Sequence, residues 1–361
     1  MANDISLSRL RLDRYHVLLT LKKKFCGWYT QIIFNLFLEY KMFIVSLLAL
    51  VVSNAQESVY PSFAAWANTY NRSYEPSEFK LREAIYASNV NTIAKHNSMN
   101  YSWTMGVNQF ADLTAEEFGK TYINGGYAPR VRNEVSQIYS MALPASVNWT
   151  AEGAVTPVKD QGQCGSCWSF SATGSLEGAW FLANKSLVSL SEQQLVDCST
   201  AEGNQGCNGG LMDDAFEYVI KNKGLTTEGD YPYTATGPNT CGSKGKPVAA
   251  TITGYKDVPV NSETALMTAI VQQPVSVAVE ADQSVFQFYK DGVMDSACGT
   301  QLDHGVLAVG YGTLGGKDYY LVKNSWGADW GSQGYILLAR GAKFNPAGQC
   351  GIQMAASYPV V

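Results

Sequence analysis

Histidine is scarce in this chain. Its 361 residues hold three, His16, His96 and His304, and only His304 lies beyond Leu143. Any chemistry in that larger part that needs an imidazole therefore has one candidate, and a multi-histidine metal centre is not available there. Charge is also sparse, at 16% of residues, which speaks against disorder. From Leu143 to the end there are 20 acids and 12 bases, a net of −8, whereas the preceding part has 11 acids and 14 bases, a net of +3. The acidic part has no basic patch, which argues against a nucleic-acid partner. There is no second CxxC, so a zinc site would need cysteines gathered from distant segments. The apolar run from Met42 to Val52 falls short of the roughly 20 residues a membrane-spanning helix needs.

What is present centres on QGQCGSCWSF, Gln161 to Phe170. Glycines flank two cysteines, and an apolar, helix-length run follows. A cysteine on the first turn of a helix faces unpaired N–H groups and the positive end of the backbone dipole, which favours its thiolate. The same CxxC also reads as a zinc knuckle or a redox pair, and at this point all three stand. Eight cysteines occur in all. Cys26 is alone near the start, and Cys164, Cys167, Cys198, Cys207, Cys241, Cys298 and Cys350 follow residue 160. In an oxidising compartment seven gives three bridges and one thiol left over, with 15 ways of pairing any six.

In chain order, residues 1–41 are a basic extension of uncertain status, and Met42 is an alternative start. Residues 42–55 read as a signal peptide, with Ser53-Asn54-Ala55 as the small-x-small end. Residues 31–52 as a signal anchor are the alternative, interrupted by Glu39 and Lys41. Secretory targeting is the expectation, with the lysosome, vacuole or extracellular space as destination. N-x-S/T sequons at Asn71, Asn100, Asn148 and Asn184 agree with it. Glu78, Arg82, Tyr86, Asn89, Ile93 and Asn97 recur at helical spacing and form one stripe. Thr121 to Met141 reads as an exposed, cleavable linker. A helix is expected from Ser166 to about Leu182. A second starts from a capping box of Ser191 and Gln194, and a third, Asp213 to Gly224, is closed by Gly224. Segments 274–281, 304–312, 318–326 and 334–340 are strand-like, so helices come first and strands later: α+β, with two lobes meeting at a cleft.

The chain from about residue 60 resembles the papain family of cysteine proteases, and within it the cathepsin L-like branch. The helix stripe resembles the E-R-F-N-I-N signature of the family's propeptides, with Tyr86 in the aromatic place. GVNQFAD resembles the companion G-x-N-x-F-x-D motif at Gly106, Asn108, Phe110 and Asp112. CGSCW matches the nucleophile motif, with His304 137 residues after Cys167 and Asn324, in KNSWG, 157 after it. The resemblance implies a two-lobed papain-like fold, with a helical left lobe and a β-barrel-like right lobe. An inhibitory propeptide (56–142) would precede a peptidase domain (143–361).

It also implies roles. Cys167 would be the nucleophile, His304 its base and later acid, Asn324 the orienter of the imidazole under Trp326, and Gln161 the side-chain donor of the oxyanion hole. The implied bridges are Cys164–Cys207, Cys198–Cys241 and Cys298–Cys350, which leave Cys167 free. Gly209 and Gly210 would present bare backbone to an extended peptide. Leu211, Met212, Ala278, Leu302, Gly305 and Ala355 would line an apolar pocket for the residue before the scissile one, with Trp326 beside the site. Asp303 is read either as tuning the imidazole or as an ordinary turn acid. The expected protein is a monomeric endopeptidase zymogen acting on proteins and peptides. It would need no metal or cofactor, be inhibited by its own propeptide, and not be stably inserted in a membrane. The rival readings are an inactive papain-like binding protein, which should have lost Cys167, His304 or Gln161, and another Cys-His acyl transferase such as a transglutaminase.

Overall fold

The computed structural model describes residues 59–123, 142–296, 298–344 and 346–361. The extension, the signal peptide and all but the first residues of the linker lie outside them. The chain divides into two units, 1–62 and 63–361, and every helix and strand among the described residues lies in the second. Among the described residues no helix is long and apolar enough to cross a membrane.

The unit opens with α1 (Phe63–Thr69) and α2 (Pro76–Asn97), β1 (Trp103–Met105), and α3 (Ala115–Phe118), which runs into a π-helical turn, Gly119–Ile123. The striped residues of α2 face the segment that comes after it. Arg82 donates to Glu78, Glu117 and the Asp112 carbonyl, while Asn89 Nδ2 donates to the carbonyls of Ala111 and Leu113. Asn97 exchanges two hydrogen bonds with the Met105 backbone, and Tyr86 and Ile93 are buried. His96 on the same helix lies against the Trp103 ring, centroids 4.0 Å apart.

Beyond the linker come β2 (Val147–Asn148) and the central helix α4 (Cys167–Asn184), within two residues of the sequence expectation. The Ser191 hydroxyl caps α5 (Glu192–Cys198), but only half of the expected box forms. Gln194 Oε1 accepts from Thr226 N–H and its Nε2–H donates to the Tyr218 hydroxyl instead of reaching back. Helix α6 (Met212–Asn222) is closed by Lys223, φ 63°, together with the expected Gly224, φ 128°, whose N–H returns to the Val219 carbonyl at 2.9 Å. The later strands are β3 (Gly254–Asp257), then, after α7 (Glu263–Gln272), β4 (Val275–Val279). After α8 (Ser284–Gln287) come β5 (Tyr289–Met294), β6 (His304–Leu314), β7 (Lys317–Lys323), β8 (Tyr335–Ala339) and β9 (Ala356–Val360).

These strands form one hydrogen-bonded path, β1-β5-β8-β7-β6-β4-β9-β3, with β2 added to β6. Its first member belongs to the N-terminal segment: β1 pairs antiparallel with β5, Trp103 opposite Gly292. A strand that adds to an exposed sheet edge gains main-chain hydrogen bonds without needing a large apolar face. Helix α4 packs on β6 and β4, so the helical part and the sheet share a boundary where the starts of α4 and β6 meet.

Candidate active site

Cys167 is the first residue of α4, and His304 is the first residue of β6. Their proximity follows from the packing of these two elements: Gly305 N–H donates to Cys167 Sγ at 3.3 Å. The imidazole Nε2–H donates to Asn324 Oδ1 at 2.8 Å, just past the end of β7, and Asn324 Oδ1 also accepts from Ser325 N–H. That leaves His304 Nδ1 as the imidazole atom without a hydrogen-bond partner, buried. Trp326 lies over the ring, centroids 4.6 Å apart at 25°, and is itself fully buried, so water is kept from the His304–Asn324 bond.

Burial pushes the Cys167 thiol up to about 11, and the charge of Asp303 adds to the rise. The N–H groups of Gly305, Trp168 and Cys167 itself act against it. Burial pulls His304 down to about 4 against the opposing Asn324 bond. With the N-terminal segment in place both groups are therefore neutral near pH 7. Asp303 is not an ordinary turn acid. Burial raises it to about 7, and its Oδ1 accepts from Ala281 N–H at 2.7 Å.

The segment after α3 covers this centre. Gln161 is buried, and its Nε2 donates both to the Cys164 carbonyl and to the carbonyl of Tyr122, each at 2.9 Å, while its Oε1 accepts from Ser325 Oγ. Ile123 shares with Gly165, Cys167, Gly209, Gly210, Met212 and His304 a residual cavity of about 10 Å³, the lower limit for one water. Aromatic side chains continue the cover: Phe110 and Phe118 meet the Trp326 ring edge-on at 5.6 and 5.2 Å. Asn108 Nδ2 donates to Gln287 O, and Gln109 Nε2 donates to Trp326 O.

Of the pocket residues expected from sequence, Gly209, Gly210, Met212 and Gly305 surround that cavity with Cys167. Met212, Ala278, Leu302 and Ala355 belong to one buried apolar cluster with Trp168. Leu211 is half-buried, its N–H held by Asn204 Oδ1. Trp326 packs on the imidazole and is not among the cavity's residues. Gly210 has no room for a side chain, since a Cβ there would sit 2.3 Å from Asn204 Oδ1 and 2.7 Å from the Trp168 ring. The disulfides are Cys164–Cys207, Cys198–Cys241 and Cys298–Cys350, and Cys167 is the free cysteine among the described residues. No cluster of metal-ligating side chains occurs among the described residues.

Sequence reasoning missed several contributors. Tyr122 and Ile123 lay in what read as linker. Ser325 orients Gln161. Behind the site, Lys159 bridges the buried carboxylates of Glu177 and Glu192 at 3.2 and 2.7 Å, with Lys323 nearby. A glutamate in the otherwise uncharged helix α4 was the available signal for that cluster.

Comparison with known proteins fits these features. Residues 143–360 match the papain family cysteine protease model, and residues 63–118 match the cathepsin propeptide inhibitor domain (I29). The chain is 48% identical to the senescence-specific cysteine protease SAG39 of Oryza sativa subsp. indica, over 81% of this chain and 88% of that protein. It is 50% identical to the probable cysteine protease RD21B of Arabidopsis thaliana over 79% of this chain, spanning 62% of that protein's length. Among solved structures it resembles a recombinant stem bromelain precursor, with TM-score 0.77, 42% identity, and 83% of this chain and 97% of that one covered. It likewise resembles the digestive procathepsin L 3 of Tenebrio molitor larval midgut, with TM-score 0.76, 42% identity, and 82% and 97% covered. With its propeptide inhibitor domain in place, this chain belongs to the papain family of cysteine proteases.

Proposed function

We propose that this protein is an endopeptidase zymogen whose reaction runs through Cys167, His304, Asn324 and Gln161. The observation that carries the reading is the odd cysteine at the start of a helix beside an imidazole held by Asn324 at Nε2 and unpartnered at Nδ1. Once the propeptide has left, Cys167 Sγ passes its proton to His304 Nδ1 and attacks the substrate carbonyl carbon. The charge that develops on the carbonyl oxygen is met by Gln161 Nε2–H and the Cys167 N–H, and losing one such donor typically costs about 100- to 1000-fold in rate. The C–N bond breaks as His304 returns the proton to the leaving amine, which leaves a thioester on Cys167. Water, deprotonated by His304, then attacks the thioester, releasing the acid and restoring the thiol. Asn324 keeps the imidazole in the tautomer and orientation that both halves need.

The propeptide blocks the same positions a substrate would use. Tyr122 O lies where a scissile carbonyl would meet Gln161, and Ile123 stands beside Met212 and Gly305. An isoleucine there supports a preference for a bulky apolar residue before the scissile one, in a pocket formed by Leu211, Met212, Ala278, Leu302, Gly305 and Ala355. The working division is 42–55 signal peptide, 56–142 propeptide and 143–361 peptidase. The expected form is a monomer of the secretory pathway, delivered to a lysosome or vacuole or outside the cell. The test is to acidify purified precursor and treat it with an epoxide that alkylates activated thiols. Label should fall on Cys167, and Cys167→Ala should lose at least about 10⁴-fold in peptidase activity. Retained activity in that variant would sink the reading.

A further inference from the structure

Thr114, Ser166, Ser191 and Ser262 are hydroxyl residues at helix N-caps. Three behave as N-caps do. Thr114, Ser191 and Ser262 have extended backbone, ψ 160°, 110° and 103°, and each hydroxyl accepts from the N–H three residues on. Ser166 does neither: its backbone lies at φ −104°, ψ 15°, and its hydroxyl caps nothing.

That hydroxyl is held elsewhere. Ser166 Oγ is 2.6 Å from Tyr233 Oη, and the Tyr233 hydroxyl donates its one hydrogen to the Gln161 carbonyl at 2.8 Å. The Ser166 hydroxyl is therefore the donor to Tyr233. The Tyr233 ring is set edge-on against Phe170, centroids 4.9 Å apart at 78°. On the first turn of α4, Ser169 N–H goes to the Ser166 carbonyl. The N–H groups of Cys167 and Trp168 lie on the same turn as the Cys167 sulfur and favour its anion.

We propose that Tyr233 is a positioning residue: by holding the Ser166 hydroxyl away from the helix, it fixes the Ser166–Cys167 peptide and with it the direction of the Cys167 N–H that serves the oxyanion. One phenol oxygen thereby fixes both the helix start and the backbone of the oxyanion donor Gln161. Without it, Ser166 can relax to extended backbone and accept from Ser169 N–H, as Thr114, Ser191 and Ser262 accept from the N–H three residues on, and that change in ψ turns the Cys167 N–H away. This rests on the assignment of Cys167 as nucleophile. The titratable groups around Tyr233 are Glu192, Asp160, Cys167 and Glu228, which accepts from the Tyr233 N–H, and the charge acting on Cys167 is that of Asp303. All of them persist when Tyr233 or Ser166 is replaced, so a change in titration reports the turning of the Ser166–Cys167 peptide.

The experiment uses full-length chains matured in trans by immobilised wild-type enzyme, so that maturation does not depend on each variant's own activity. The rate of Cys167 alkylation is followed by mass across pH, with kcat and KM for a peptide substrate. Tyr233→Phe keeps the ring and loses the hydroxyl. Its alkylation midpoint should rise by about one pH unit, some tenfold in rate on the acidic limb, with kcat lowered and KM little changed. In Ser166→Ala/Tyr233→Phe no hydroxyl remains to compete, and the midpoint should return most of the way. An unmoved midpoint in the single variant, or one that stays shifted in the double variant, overturns the proposal. A wild-type enzyme unlabelled at Cys167 would instead overturn the nucleophile assignment beneath it.

Discussion

Two helices of this molecule are held by different physics. Helix α4 has thirteen of its eighteen residues buried, from Cys167 through Ala179. Helix α2 of the propeptide is longer, twenty-two residues, and buries two, Tyr86 and Ile93. The first is held by burial along most of its length, through apolar contacts and the enclosed ion pair of Glu177 with Lys159. The second is held by polar side chains (Arg82, Asn89, Asn97) reaching the backbone of the segment it supports, with aromatic residues docked beyond it. A part that must stay is buried, whereas a part that must leave is held by a few anchors and by charges that titrate.

The largest expected effect tests the anchors. Phe110 is 1% exposed, between Phe118, Tyr122 and the Trp326 ring that covers His304. Truncating such a side chain costs about 3–5 kcal/mol. Because its neighbours lie on both sides of the propeptide boundary, the loss should appear as weakened docking. In the Phe110→Ala precursor at neutral pH, alkylation of Cys167 should rise at least about 100-fold, since an opened site frees the neutral thiol from its cover. Labelling as slow as in the wild-type precursor would show that Phe110 does not anchor the propeptide.

A smaller effect tests the permanent helix. A Cβ on Gly178 would lie 2.5 Å from Pro274 Cγ and 2.8 Å from its Cδ, so Gly178→Val must push α4 away from the start of β4. Overpacking of this kind costs about 1–3 kcal/mol, and in a domain of this size each kcal/mol lowers the melting temperature by about 2–4 °C. Ala87→Val on the exposed side of α2 should stay within about 0.5 kcal/mol of wild type. Equal melting shifts in the two variants would erase the contrast between the helices.

Much of this contrast was legible in the sequence because both parts depend on short-range patterns. The stripe from Glu78 to Asn97 has helical spacing, and the central strands are β-branched runs bounded by turns. What stayed hidden depends on long-range partners. Strand β1 is three residues whose identity as a strand comes from its pairing with β5. Gln194 has the residue type and spacing of a capping box, yet it serves Thr226 and Tyr218, which are far along the chain. Tyr122 and Ile123 form a π-helical turn with no local signature, and they matter because the fold lays them across Gln161 and Cys167. The candidate catalytic residues were readable from motif and scarcity together. The groups packed around them (Ser325, Tyr233 and the Lys159–Glu177–Glu192 cluster) were not, since their places come from tertiary contact alone.

The smallest expected effect concerns the charges that hold the propeptide. Glu117 Oε2 accepts from Arg82 at 2.9 Å and from Thr114 N–H at 2.9 Å. Partial burial acts to raise its pKa, but Thr114 and Arg82 outweigh that and hold the carboxyl below its ordinary value. A carboxyl whose pKa is lower folded than unfolded contributes stability that is complete above its unfolded value, near 4.3, and is lost as pH falls through the folded one. Acid therefore loosens this contact, the direction a zymogen activated at low pH requires. The side chains are 15% and 36% exposed, so solvent screening limits the pair to about 0.5 kcal/mol. Glu117→Gln preserves the acceptor for Thr114 and removes the charge. Its propeptide should be held about two- to threefold less tightly at neutral pH, and Cys167 labelling of the precursor across a pH series should begin at a slightly higher pH than in wild type. An unchanged onset would mean that the Glu117 charge does not contribute to holding the propeptide.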